Sequence, residues 1–124
     1  MVPQSRANRI AKGIQEMLSE ILLFEATDPR LQGVFVTDVR VDRELSQANI
    51  FVSALEGADR RQEILNGLEH ASGFLRSALA QRSDLRVFPH LKFVWDPTPE
   101  HAEHIEKLIA SLHKEDDGEG KKSG

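Results

Sequence analysis

The chain has 124 residues, of which 40% are hydrophobic and 29% are charged, and its formal net charge is −4. This length and composition are typical of one folded domain, and they exclude a wholly disordered chain. The sequence contains no cysteine, no apolar run long enough to span a bilayer and no apolar stretch of a secretion signal at its start. These absences argue against disulfides, thiolate metal sites, cysteine nucleophiles and membrane insertion, and we expect a cytoplasmic protein.

The charges are unevenly distributed along the chain. Residues 1–15 carry +3 and residues 60–95 carry +3, whereas residues 16–59 carry −6 and residues 96–124 carry −4. An acidic protein of this kind still presents a basic face if the two basic segments come together in the fold. The alternative is that both segments are ordinary solvated surface.

The first half of the chain predicts one helix followed by two strands. Residues 5–24 place apolar side chains at steps of three and four, which predicts an amphipathic helix with Ser5 as its cap. The proline and glycine within residues 28–33 end this helix and turn the chain. Residues 34–42 and 47–55 are rich in alternating β-branched residues, and we expect them to form an antiparallel hairpin.

The second half predicts a long helical segment, a third strand and a last helix. The apolar period draws one helix through residues 60–82, in which Gly73 marks a break, a close contact or nothing. Residues 91–95 form a short strand, and Thr98 caps a last helix with Pro99 at its first position. We therefore expect an α+β domain over residues 1–113, with helices on one face of a three-stranded sheet, and a disordered polar tail over residues 114–124.

Several short sequence motifs, which occur in a fixed order, indicate a more specific fold family. The element order is that of the type II KH fold if the helix at 60–82 breaks near Gly73. Over residues 5–112 the chain resembles the bacterial ribosome-binding factor A family. The strings that carry the resemblance are Asp28-Pro29-Arg30-Leu31, Val36-Thr37-Asp38-Val39, Ala71-Ser72-Gly73-Phe74-Leu75-Arg76, Leu85-Arg86 and Pro89-His90-Leu91-Lys92-Phe93-Val94-Trp95-Asp96.

The resemblance implies a fold, a partner and a role. In that family an Ala-x-Gly kink between two helices replaces the Gly-x-x-Gly loop of ordinary KH domains, and it corresponds here to Ala71, Ser72 and Gly73. The family acts in late maturation of the small ribosomal subunit and its rRNA and is important for growth in the cold. It has no catalytic activity and no cofactor. We expect the same here, in a protein that is monomeric when free and takes no small-molecule substrate.

Without a Gly-x-x-Gly loop, RNA contacts should come from arginine and lysine side chains that bind phosphates and stack on bases, with weak sequence readout. The candidate RNA-binding residues are Arg6, Arg9, Lys12, Arg76, Arg82 and Arg86. The open alternatives are that Arg82 and Arg86 lie over apolar neighbours and that Lys12 pairs with Glu16.

The sequence also bears on a metal site, a catalytic site and a different kind of partner. His101 and His104 lie three positions apart on the predicted last helix but lack a nearby third ligand, so we expect no metal site. No catalytic constellation is present. The alternative function is a KH-like adaptor module that binds a protein partner through the acidic surface of the hairpin and helix.

Overall fold

The computed structural model describes residues 1–101 and 106–112. Its helices and strands are α1 (Gln4–Phe24), β1 (Val34–Val41), β2 (Gln47–Ala54), α2 (Arg61–Gln81) and β3 (His90–Trp95). Two 3₁₀ turns, Pro29–Leu31 and Gly57–Arg60, precede β1 and α2. Residues 98–101 and 106–112 are also helical.

The three strands form one sheet in the order β1-β2-β3. β1 pairs with β2 antiparallel, as the sequence predicts, and β3 lies parallel to β2. Both helices pack on one face of this sheet, where the alternate residues of β2 are buried against them. The α+β class and the KH-like arrangement are thus confirmed. The fully buried large side chains of this core are Ile14, Leu18, Ile21, Ile50, Val52, Ile64, Leu68, Leu75 and Leu79.

A bulge in β1 changes which side chains face the helices. Val36 pairs with Val52 and Asp38 pairs with Phe51, so that Thr37 is an extra residue. The inward positions are therefore even-numbered before Thr37 and odd-numbered after it, with Val39 and Val41 buried. Because of this shift, Asp38 and Arg40 lie on the open face of the sheet.

The bulge is fastened to the end of β3. The Thr37 hydroxyl donates a hydrogen bond of 2.6 Å to Oδ2 of Asp96. This bond, together with the backbone N–H of Thr98, holds the pKa of Asp96 below its ordinary value of 3.8. Two of the strings that carry the family resemblance thus meet at one contact.

The structure confirms the single helix that the apolar period predicts over residues 60–82, and it corrects the division into two helices that the family resemblance implies. Helical structure continues without interruption through Ala71, Ser72 and Gly73. The buried residues of α2 come both before and after Gly73, and one mid-helix glycine costs only about 0.5–1 kcal/mol, too little to end a helix anchored on both sides. A bend of the helix axis at these three residues stays a prediction.

The close contact of α2 is made by a different glycine. A Cβ atom on Gly67 would lie 3.2 Å from Cβ of Arg30 and 3.2 Å from Cδ2 of Leu31, whereas one on Gly73 would meet no atom within 4 Å. Gly67 therefore lets the turn before β1 press against α2. Asp28 shapes that turn by accepting the backbone N–H of Arg30 at 2.9 Å and pairing with its guanidinium at 2.7 Å.

The ends of the helices differ from expectation. α1 begins at Gln4 with Pro3 as its cap residue and no side-chain cap, so Ser5 does not cap it.

The apolar side chains of the last helical segment are exposed by about half, at 52% for Leu108, 49% for Ile109 and 60% for Leu112. The tail at residues 114–124, and with it the domain boundary, lies outside the described residues. No helix within the described residues is both long and apolar enough to cross a membrane.

Candidate nucleic-acid interface

An open groove of about 320 Å³ runs between α1 and the loop that joins α2 to β3. Arg6 and Arg9 line it from α1, and Arg82 lines it from the end of α2. Its other lining residues are mostly apolar: Ile10, Gly13, Ile14, Met17, Ser83, Asp84, Leu85 and Phe88. We call this feature the arginine groove. It brings together two parts of the chain that are more than seventy residues apart in sequence.

Arg6 and Arg9 are exposed because the opposite side of α1 is buried against the sheet. Neither side chain forms an ion pair with any described residue. The first turn of α1 contains no acidic residue, so these cations lie at the positive end of the helix dipole without a local counter-charge. This arrangement disfavours the isolated helix and favours a phosphate bound at its start.

Arg82 is partly occupied by contacts within the protein. Its Nη1 donates to the carbonyl of Ala78 at 3.0 Å, and its Nη2 forms an ion pair with Glu25. The Arg82 side chain is still 37% exposed, and Asp84 beside it adds a negative charge to the groove. Arg82 therefore offers less free positive charge than Arg6 or Arg9.

Arg76 supports the backbone of the loop that enters β3. Its Nη2 donates to the carbonyl of Phe88 at 2.5 Å, and its Nε donates to the carbonyl of Pro89 at 3.1 Å. The side chain is half-buried. These two bonds give Arg76 a role in holding the loop beside the arginine groove and leave only part of its guanidinium to bind a phosphate.

Lys12 and Arg86 do not line the arginine groove. Lys12 faces a second groove between α1 and β1, together with Gln4, Asn8 and Gln15. It forms no ion pair with Glu16 among the described contacts. Arg86 is exposed in the loop between α2 and β3. Of the six predicted residues, the structure thus brings three together, and the RNA role of each stays a prediction.

Sequence reasoning missed two structural residues and one pair of side chains. Arg60 donates to the carbonyls of Arg30 and Gln32 at 2.8 and 2.9 Å, which fastens the turn before β1 to the start of α2. Gly67 provides the close contact described above. The third feature is exposed Arg40 over the ring of half-buried Phe51. The sequence signal for it was the break in the alternation of the β1 valines, which changes from even-numbered to odd-numbered positions.

Comparison with known proteins gives consistent results. The family model for ribosome-binding factor A matches residues 6–109. A ribosome-binding factor A from Alcanivorax borkumensis is 42% identical over 113 residues, which covers 90% of this chain and 82% of the relative. One from Thiobacillus denitrificans is 40% identical over 111 residues and covers 90% of each chain.

Solved structures agree. The crystal structure of ribosome-binding factor A from Thermus thermophilus is similar with a TM-score of 0.66 and 27% identity, covering 72% of this chain and 93% of that one. A homology model of the Thermus thermophilus protein, fitted into a cryo-EM map of its 30S complex, gives a TM-score of 0.59 and 28% identity, covering 70% of this chain and 91% of that one. With the family model matching most of its length and relatives at 40% identity or more, the chain belongs to the ribosome-binding factor A family.

Proposed function

We propose that this protein is a ribosome biogenesis factor that binds the immature small ribosomal subunit through its rRNA and promotes its late maturation. It acts in the cytoplasm and without catalysis. Family membership supports this role, and the Thermus thermophilus relative has been fitted into a map of its complex with the 30S subunit.

The observation that carries the RNA contact is the pair of exposed arginines near the start of α1, which form no ion pair with a described residue. Arg6 and Arg9 lie along one side of a groove whose floor is largely apolar. Guanidinium groups match phosphate oxygens with two parallel hydrogen bonds, and an apolar floor accepts the face of a sugar or base. The arginine groove therefore fits an rRNA backbone with little sequence readout.

The acidic charge elsewhere in the chain favours one orientation of the protein on rRNA. Residues 16–59 carry −6, and the arginine groove is lined by Arg6, Arg9 and Arg82 against the single acid Asp84. Repulsion between the acidic surface and rRNA favours the orientation in which the groove faces the subunit, and it weakens non-specific binding to other nucleic acids.

Reversing the charge of Arg6 and Arg9, the two groove arginines on α1, tests this function. The double variant Arg6→Glu and Arg9→Glu should lose co-sedimentation with small subunits, while its thermal melt stays near that of the natural protein. The matched control is Arg61→Glu, an exposed arginine on α2 outside the groove. Replacing both groove arginines by glutamine should lower the salt dependence of binding by up to about 2 in log–log slope.

Normal co-sedimentation of the doubly reversed variant would contradict the assignment of the groove. Nuclease treatment separates this function from the adaptor alternative. If rRNA is the partner, capture of the partner is lost after nuclease digestion; if a protein is the partner, capture survives. Arg76 is left out of the test because its loss would disturb the loop before β3.

A further inference from the structure

The face of the sheet opposite the helices carries a row of polar and cationic side chains. Arg40 pairs with Asn49 across β1 and β2, and Asn49 pairs with Lys92 across β2 and β3. Residues paired in this way lie on the same face, and two strand spacings place Arg40 and Lys92 about 10 Å apart. Arg40 and Lys92 are both exposed.

Arg40 is held in a fixed orientation on this face. Its Nε donates to Oδ2 of Asp38 at 3.2 Å, and its guanidinium carbon lies 5.4 Å from the centroid of the Phe51 ring. The side chain is nevertheless 75% exposed. The Phe51 ring thus supports the guanidinium from below at cation–π distance, and most of the guanidinium surface stays open to solvent and available for stacking.

A concavity of about 410 Å³ lies next to Arg40, towards the hairpin turn. Gln47 and Asn49 line it, and Nε2 of Gln47 donates to Oδ1 of Asn49 at 2.8 Å. This bond leaves the amide N–H groups of Asn49 and the amide oxygen of Gln47 to bind another molecule. Their donors and acceptor match the polar edge of a nucleobase.

The carboxylate of Asp42 in this concavity is held by the hairpin turn. Asp42 accepts the hydroxyl of Ser46 and the backbone N–H groups of Ser46 and Gln47, the latter two at 2.8 and 2.9 Å. These bonds lower the pKa of Asp42, with the Ser46 hydroxyl as the largest cause. The carboxylate therefore stays ionised and serves the hairpin turn, and Arg40 is paired with Asp38, so Lys92 is the cation of this face that forms no ion pair with a described residue.

We propose that this open face binds one unpaired nucleotide of single-stranded RNA. The base stacks on the free side of the Arg40 guanidinium, its edge bonds to the amides of Asn49 and Gln47, and Lys92 contacts a neighbouring phosphate. This would be a second RNA-binding surface beside the arginine groove. The choice of RNA as the partner rests on the proposed function. Planar stacking and amide edges favour RNA over a protein surface.

The experiment uses an eight-nucleotide oligoadenylate and the full chain carrying Arg6→Gln and Arg9→Gln, so that the arginine groove contributes little. In that background Arg40→Lys keeps the charge but removes the planar surface. We expect its affinity for the oligonucleotide to fall by about 5-fold or more, since stacking contributes about 1–3 kcal/mol per base. Arg61→Lys, the matched control, should stay within about 2-fold, as expected for an exposed site outside the contact.

A second readout locates the contact directly. In NMR titrations with the same oligonucleotide, the side-chain amide signals of Asn49 and Gln47 and the Nε–H signal of Arg40 should shift. The proposal is overturned if Arg40→Lys binds the oligonucleotide as tightly as its parent, or if the oligonucleotide causes no chemical-shift change in these signals. It is also overturned if the signals shift on addition of ribosomal protein freed of RNA by nuclease but not on addition of RNA. None of these results would contradict binding of small subunits through the arginine groove. Failure of the co-sedimentation test would contradict the proposed function but would not change the oligonucleotide result.

Discussion

Two glycines of α2 should respond differently to the same substitution. Gly67 and Gly73 both lie within the helix, and neither has a positive φ angle. Replacing either by alanine removes the conformational cost of a mid-helix glycine, which is about 0.5–1 kcal/mol. The two sites differ only in what the new methyl group meets.

The contacts of the added methyl group set the magnitudes. At Gly73 no atom lies within 4 Å, so Gly73→Ala should raise the free energy of unfolding by the full 0.5–1 kcal/mol, or about 2–8 °C in Tm. At Gly67 the methyl group would lie 3.2 Å from both Arg30 and Leu31. Overpacking of this kind costs about 1–3 kcal/mol, so Gly67→Ala should be less stable than Gly73→Ala by that amount.

Urea unfolding followed by circular dichroism and by Trp95 fluorescence measures this difference. Since both variants share the same gain in helix propensity, their difference isolates the contact between α2 and the turn before β1. Equal stabilities of the two variants would refute the close approach at Gly67. Binding to small subunits gives a second readout, because the kink hypothesis predicts weaker binding by Gly73→Ala in spite of its higher stability.

Three further predictions concern single contacts. Arg76→Ala should lower the free energy of unfolding by about 1–3 kcal/mol, because it leaves two buried carbonyls before β3 without their charged donor; a stability unchanged in urea unfolding would show that Arg76 is free to bind RNA. Thr37→Val should cost about 1 kcal/mol or less at pH 7. Because the hydrogen bond lowers the pKa of Asp96, the stability it provides is present above the ordinary pKa of 3.8 and is lost as the pH falls below that value. The difference in free energy of unfolding between Thr37→Val and the natural protein should therefore be smaller at pH 3 than at pH 7. An equal difference at the two pH values would refute this. Glu25→Gln should free Arg82 and tighten binding to small subunits with a change in stability below about 1 kcal/mol, and weaker binding would show that the ion pair helps to form the groove.

Much of the fold was predictable because local patterns reflect burial. The three- and four-residue apolar spacing of α1 and α2 and the hairpin of β1 and β2 are each set by residues that lie close together in sequence. The uninterrupted helix at Gly73 was harder to predict. A single glycine favours a break only weakly, and the burial of α2 on both sides of it comes from tertiary packing.

The candidate site was predictable only in part. Arg6 and Arg9 could be assigned to the surface because the apolar stripe of α1 must face the core, and the structure places them there. No local signal showed that Gly67, rather than Gly73, is the glycine at a close contact, since the atoms that crowd it belong to a turn more than thirty residues earlier.

The sequence by itself determined where the helices and strands form, that the chain is acidic overall, and that arginines occur in two separate segments. Only the tertiary structure decided what each arginine does. Arg76 binds carbonyls 12 and 13 residues away and Arg82 pairs with Glu25 at a separation of 57 residues, whereas Arg6 and Arg9 meet no carboxylate among the described residues. The physical reason is that a guanidinium group has the same charge at every position in a chain, and its availability to RNA depends on the oxygen atoms that folding brings near it.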